Sequence, residues 1–272
     1  MHYGIEVVTL GDYADPRPVV RLAQAAEAAG WEACAVWDHL GFVWGAPSGD
    51  ALITLAAVAQ ATSRLRLISA ITPLPRRRPH EVAHALAALD LLSGGRVIFG
   101  TGLGGVAEEY AAFGLPTEPK ARAAMLDEGL TIIERLWSGE TVHHQGVHYV
   151  VNGVSLAPLP VQRPRIPIWI GGESRAALRR AARWDGWVIG SVDESGQVLR
   201  TPERVAEEIA YIQAQRAGDA PFAVALTGQS QPHDARVQEY ADAGVTWWLE
   251  SLHGYRGDFE ALMARVEAGP PR

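Results

Sequence analysis

The run Ala33-Cys34-Ala35-Val36-Trp37, followed at once by Asp38-His39, sets the reading of the whole chain. An unbroken apolar run this short suits a strand buried on both faces, and the polar pair marks its C-terminal end. Just upstream, residues 18–29 carry Val19, Leu22, Ala23 and Ala26 on one helical face and stop at Gly30. Just downstream, Asp50 stands where it can N-cap the next helix. The same alternation recurs in both directions. Further apolar runs lie at 3–8, 65–69, 97–100, 166–170, 186–189, 222–226 and 245–249. Between them, Pro79 opens a helix that ends at Gly94-Gly95, and residues 121–137 stack Met125, Leu130, Ile133 and Leu136. Ser174, Thr201 and Asp234 are N-caps for three more helices, and Phe259, Leu262, Met263 and Val266 mark the last. Eight strand–helix units predict one α/β domain over residues 1–272, a closed (β/α)₈ barrel of the TIM type. Residues 139–167 break the rhythm with Thr141-Val142-His143, His148-Tyr149-Val150-Val151 and Pro158-Leu159-Pro160. They read as a short β excursion over the barrel mouth.

Composition narrows the function. The chain has 272 residues, 48% of them hydrophobic, enough for a large core. Its net charge of −7 speaks against nucleic-acid binding, which favours basic domains. Cys34 is the single cysteine, so no internal disulfide framework is possible. With no basic-then-apolar leader in residues 1–6, a cytoplasmic location is expected. Nowhere do about 18 apolar residues follow one another, so no membrane helix is expected.

Two motif matches point away from their usual meaning. His80-Glu81-Val82-Ala83-His84 has zinc-protease spacing, with Glu108 or Glu109 available as a third ligand. On a helical wheel, however, Val82, Leu86 and Leu89 form the apolar face, which places both histidines on the barrel exterior. Gly100-Thr101-Gly102-Leu103-Gly104-Gly105 contains G-x-G-x-x-G, but no strand ending in an acid follows about 20 residues on, as a dinucleotide fold requires. A glycine-rich loop open to close approach by a ligand is the better reading.

In a barrel of this kind the chemistry lies at the C-terminal strand ends. Those ends read Glu6, Asp38-His39, Ser69-Ala70-Ile71-Thr72, the 100–105 loop, Gly171-Gly172-Glu173-Ser174, Gly190-Ser191, Thr227-Gly228 and Glu250-Ser251-Leu252-His253. His39 is the natural proton donor or acceptor, with Asp38 as the neighbouring carboxylate that orients it. Gly171 to Ser174 turn a strand into a helix and suit an anion. Arg76-Arg77-Arg78 is either a solvated charge run or a contact for an anionic ligand. Trp44 is placed to line a flat aromatic pocket, whereas Trp184 and Trp187 pack around Asp185-Gly186.

Together with Trp37-Asp38-His39, several further segments resemble the bacterial-luciferase-like flavin monooxygenase superfamily, which includes coenzyme F420-dependent members. They are Leu89-Asp90-Leu91-Leu92-Ser93-Gly94-Gly95-Arg96, Gly100-Thr101-Gly102-Leu103-Gly104, Phe113-Gly114-Leu115-Pro116, Leu136-Trp137-Ser138-Gly139, Pro167-Ile168-Trp169-Ile170-Gly171-Gly172 and Trp184-Asp185-Gly186-Trp187. The resemblance covers nearly the whole chain. It implies a flavin at the mouth with its phosphate near Glu173 and Ser174. His39 matches the family's active-site histidine, and Ser69-Ala70 matches the place of a non-prolyl cis peptide beneath the ring. Cofactor contacts are then expected from Glu6, Ser69, Ala70, Thr72, Gly102, Gly104, Gly171, Gly172, Glu173 and Ser174. Trp44, Glu250 and His253 are expected around the substrate. The implied activity is monooxygenation of a small organic substrate with reduced FMN and O₂, a flavin reductase supplying the reduced flavin. The alternative is hydride transfer with F420, and homodimers are frequent in the family. From a different class, a metal-dependent barrel hydrolase would use Asp38, His39, Glu250 and His253.

Overall fold

The computed structural model describes residues 1–190, 192–193 and 197–271. Its strands are β1 His2–Val7, β2 Ala33–Val36, β3 Arg66–Pro73, β4 Val97–Gly102, β5 Val142–Gln145, β6 Val150–Val154, β7 Ile168–Gly171, β8 Gly186–Ile189, β9 Ala223–Gly228 and β10 Trp247–Leu252. Its helices are α1 Pro16–Ala28, α2 Ala51–Ala61, α3 Pro79–Ser93, α4 Glu108–Ala111, α5 Pro119–Ser138, α6 Arg175–Ala181, α7 Pro202–Gln213, α8 Ala235–Asp242 and α9 Phe259–Glu267. The parallel strands close in the order β1-β10-β9-β8-β7-β4-β3-β2, and β5-β6 forms a separate antiparallel hairpin. The expected (β/α)₈ barrel is therefore the fold. Among the described residues no helix is long and apolar enough to cross a membrane.

Alternation along the strands divides the apolar residues into two layers. Ala33, Ala35, Ile68, Ile98, Trp169, Val188, Ala225, Trp247 and Leu249 fill the lumen. Their neighbours Cys34, Val36, Leu67, Phe99, Trp187, Leu226 and Trp248 pack outwards beneath the helices. Small residues on β2 and β9 leave room for Trp169 and Trp247, whose ring centroids lie 5.8 Å apart.

The helix starts follow local chemistry. Asp50 accepts from the N–H groups of Leu52 and Ile53, and Ser174, Thr201 and Asp234 cap α6, α7 and α8 as expected. Helix α1 begins two residues before the expected start, because Asp15 caps it and Pro16 occupies its first turn. Gly94, at φ +67°, stops α3. Strand β3 runs past Ser69 to Pro73, where it still pairs with β4 through Thr72–Thr101 and Pro73–Gly102.

Two of the family-like segments are staples far from the mouth. Asp90 is fully buried and accepts from the N–H groups of Val161 and Gln162 at 2.8 and 3.0 Å. Asp185 accepts from the Ile168 N–H at 2.7 Å and pairs with Arg165. The hairpin is tied to α5. Glu128 of α5 meets His144 and the N–H groups of His148 and Tyr149, and Arg135 of α5 donates to the His143 carbonyl. Residues 148–151 also approach Arg78, Pro79 and His80 at the start of α3. The excursion thus packs against the outer helical layer, where α5 supplies the carboxylate that satisfies its turn.

Candidate active site at the barrel mouth

The floor of the mouth is set by strand parity. Ile5 and Val7 belong to the outer layer, so Glu6 between them points inwards. It reaches Thr227 of β9, whose hydroxyl donates to Glu6 Oε1 at 3.2 Å. Strand β10 lies between β1 and β9, so this bond crosses the lumen. Ser251, paired in register with Glu6, shares the inner face of β10 with Leu249 and Trp247. Opposite this polar side, Gly102 and Gly171 leave space for Ile71. A methyl at Gly102 would come 2.5 Å from Ile71 Cδ1, and one at Gly171 would come 2.9 Å from it. Gly102 and Gly171 thus let an apolar side chain lie flat on the inner wall.

The non-prolyl cis peptide is Ala70–Ile71, one residue beyond the expected Ser69-Ala70. Ser69 is fully buried and its hydroxyl donates to the Gly100 carbonyl at 2.9 Å, so its side chain braces β3 against β4 instead of facing the mouth. Ala70 lies in the lumen layer. The Thr72 hydroxyl is buried without a partner among the described residues. Gly104, at φ +75°, is held by Arg122, which donates to its carbonyl at 2.7 Å and stacks on Tyr110.

Above the floor stands His39, but its partner is not the neighbour in sequence. His39 Nδ1 meets Glu109 Oε1 at 2.7 Å, and the same oxygen accepts from the Leu40 N–H at 2.9 Å. Glu109 lies in α4, in the segment after β4, and its side chain is 1% exposed. Burial alone would raise the Glu109 carboxyl. The hydrogen bonds from His39 and Leu40, together with the charge of Arg76, outweigh it and hold the group below the ordinary carboxylate range. With Nδ1 donating to this carboxylate, Nε2 is the ring nitrogen left to take a proton. Trp37 and Trp44 flank the imidazole at centroid distances of 5.2 and 5.3 Å. Trp44 is half exposed, and Phe42 and Phe113 meet edge-to-face on the same rim.

Asp38 has another role. Arg76 Nη2 donates to its carbonyl at 2.7 Å and to Oδ1 at 2.6 Å, and Arg77 Nη2 donates to Oδ1 at 2.9 Å. Arg76 also pairs with Glu109. Successive residues at a strand end project to opposite sides, so Asp38 is turned to the arginines while His39 turns to Glu109. Within the arginine run, Arg76 and Arg77 brace Asp38 and Glu109, while Arg78 is exposed. Sequence reading missed the coupling of Glu109 to His39, and it missed Arg122. The one signal for Glu109 was an acid in the first turn after the glycine loop.

Glu250 is also corrected. It shares the outward parity of Trp248 and is fully buried. Oε1 accepts from the Ser230 N–H at 2.9 Å and meets Arg256 at 2.6 Å, while Oε2 accepts from Trp248 Nε1 at 3.0 Å and meets Arg265 at 3.3 Å. It fastens β10 to α9. His253 sits beyond β10 against Gln229, 2.8 Å away, and burial followed by the charge of Arg256 pushes its pKa down. Among the described residues no three His, Cys, Asp or Glu side chains stand where they could share a metal ion, so the hydrolase quartet is not brought together.

At the turn after β7, Gly172 has φ +114° and its carbonyl accepts from Trp187 Nε1 at 2.8 Å. Ser174 accepts from the Ala177 N–H at 3.2 Å, and Glu173 pairs with Arg200 at 2.7 Å. Ser191, expected at the mouth, lies outside the described residues. His80 and His84 are exposed while Val82, Leu86 and Leu89 are buried. Replacing both histidines by alanine is expected to leave Tm within about 2 °C and turnover unchanged, since exposed substitutions stay within about 0.5 kcal/mol. Differential scanning calorimetry and a turnover assay check this.

The mouth of this parallel barrel thus combines a histidine–carboxylate couple with an apolar floor cleared by two glycines. The chain belongs to the luciferase-like monooxygenase family, which matches it over residues 4–269. It is 36% identical over 183 residues to an F420-dependent glucose-6-phosphate dehydrogenase of Mycolicibacterium fortuitum, which covers 65% of this chain and 54% of that relative. An F420-dependent secondary alcohol dehydrogenase solved with an F420-acetone adduct has the same fold, with a TM-score of 0.83, 16% identity and coverage of 99% and 98%. So has monooxygenase RslO1 from Streptomyces bottropensis, with a TM-score of 0.78, 21% identity and coverage of 98% and 97%. The protein is a luciferase-like oxidoreductase.

Proposed function

We propose that this protein is a deazaflavin (F420)-dependent oxidoreductase that interconverts an alcohol and a carbonyl in a small organic substrate. The observation that carries the reading is the couple of His39 with a Glu109 held ionised by the hydrogen bonds from His39 and Leu40 and by the charge of Arg76. Oxidising an alcohol requires a base for the hydroxyl proton as the carbon gives up its hydride. When bound, F420 supplies the hydride acceptor. His39 takes the hydroxyl proton at Nε2, Glu109 holds the imidazole through Nδ1, and Trp37 and Trp44 fix the plane of the ring. The residues suited to the cofactor are those of the floor: Ile71 across Gly102 and Gly171, with Glu6, Thr227 and Ser251 on the polar side. The turn of Gly171, Gly172 and Ser174 is suited to a phosphate, through backbone N–H groups and the Ser174 hydroxyl. The dehydrogenase relative, at 36% identity, favours this reading.

A second reading, monooxygenation with reduced FMN from a flavin reductase, is favoured by the family to which the chain belongs. Titrating the protein with F420 and with FMN, then following F420 absorbance with a panel of secondary alcohols, separates the two. F420 binding in the micromolar range or tighter with alcohol-dependent bleaching is expected. FMN binding with O₂ consumption and no F420 binding would overturn the first reading in favour of the second.

A further inference from the structure

Glu6 stands apart from the other acids at the mouth: it is buried in the lumen with no cation beside it among the described residues. It is 2% exposed. Oε1 takes the Thr227 hydroxyl, and Oε2 is buried without a hydrogen-bond partner among the described residues. Burial pushes its carboxyl up to about 7, with hydrogen bonds from Trp37 and Thr227 acting in the opposite direction. The packed elements offer no countercharge. Thr227 faces it from β9, Ser251 from β10 and Trp37 from the end of β2. The ionisable groups nearest along those strands are engaged elsewhere: Asp38 with Arg76 and Arg77, His39 with Glu109, Glu250 with Arg256 and Arg265. A neutral carboxyl whose first oxygen accepts a hydrogen bond keeps its proton on the second. The Glu6 carboxyl lies on the β1–β10–β9 side of the lumen, across the barrel from Ile71 on β3.

We propose that Glu6 holds a proton on Oε2 and donates it as a hydrogen bond to the ligand on this floor, so that the mouth selects rings presenting a carbonyl or an anionic edge towards β1 and β9. The inference rests on the reading that a deazaflavin or flavin lies there. Ionised Glu6 would set a carboxylate against the acceptor edge, so binding requires the protonated form. Apparent affinity then scales with the protonated fraction. The stability of the apo-protein has its own sign. A carboxyl raised in the folded state contributes stability that is complete below its unfolded value near 4.5 and is lost as pH rises through about 7.

The test is the dissociation constant of oxidised F420, and separately of FMN, from pH 6 to pH 9, read by fluorescence for wild type, Glu6→Gln and Glu6→Ala. Comparison with Glu6→Gln, which keeps a neutral donor, removes the ligands' own titration. Relative to Glu6→Gln, wild type is expected to lose affinity about 100-fold between pH 6 and pH 9. Glu6→Ala is expected to bind weakly throughout. In the apo-protein, Tm of wild type should fall relative to Glu6→Gln from about pH 4.5 to 7 and then run parallel. Parallel binding curves for wild type and Glu6→Gln would overturn the inference while leaving the cofactor reading in place. Binding of neither ligand at any pH would overturn both.

Discussion

Replacing His39 by alanine is expected to lower turnover by about 10²–10⁴-fold while leaving cofactor affinity within a few-fold. The histidine stands above the floor, flanked by Trp37 and Trp44, and its contact to the chain is with Glu109. Its loss therefore removes a proton acceptor without emptying the binding surface. Glu109→Gln should act in the same direction through position and charge. It keeps the shape of the hydrogen bond but removes the carboxylate that fixes Nδ1 as the donor. The readout that separates this from simple loosening is the pH profile of kcat. In the Glu109→Gln variant the base limb should move and kcat should fall, whereas KM for the alcohol should change little. Asp38→Asn should affect stability more than the profile, because Asp38 binds Arg76 and Arg77 and not the imidazole. Full turnover in His39→Ala would leave the histidine a packing residue and sink the acid–base assignment. Loss of cofactor in that variant would make it a binding residue instead.

The largest stability effect should come from Glu250. It is fully buried between β10 and α9 and is bonded to Ser230, Trp248, Arg256 and Arg265. Removing one member of a buried, hydrogen-bonded ion pair leaves the others uncompensated and costs about 3–5 kcal/mol. Glu250→Ala should therefore lower Tm by roughly 5–9 °C in thermal denaturation. Cofactor affinity, measured below the transition, should hold. A variant with unchanged Tm and abolished binding would restore Glu250 to the mouth and contradict the outward parity of Trp248 and Glu250.

Much of the barrel was legible because its signals are local. Continuous apolar runs, Asp50, Ser174, Thr201 and Asp234 as caps, and Gly94 as a stop each act within a few residues, so the strand–helix alternation could be counted along the chain. The exterior position of His80 and His84 followed from helical periodicity alone. The place of His39 at the mouth was legible because strand ends of such barrels converge.

What the sequence by itself could not determine is where each side chain points and what it meets. The strands are apolar on both faces, so alternation does not say which face is the lumen. Glu6 and Glu250 looked equivalent at two strand ends, yet one points inwards and the other under α9. Adjacency also misled at Asp38-His39: neighbours at a strand end diverge, and the true partner of His39 lies 70 residues away in α4. The hairpin's position on α5 was decided by Glu128, which satisfies its turn. Secondary structure is written in short-range pattern, whereas the pairing of buried charges is set only when the barrel closes, because Asp38, Glu109 and Glu250 find their partners only among residues that closure brings together.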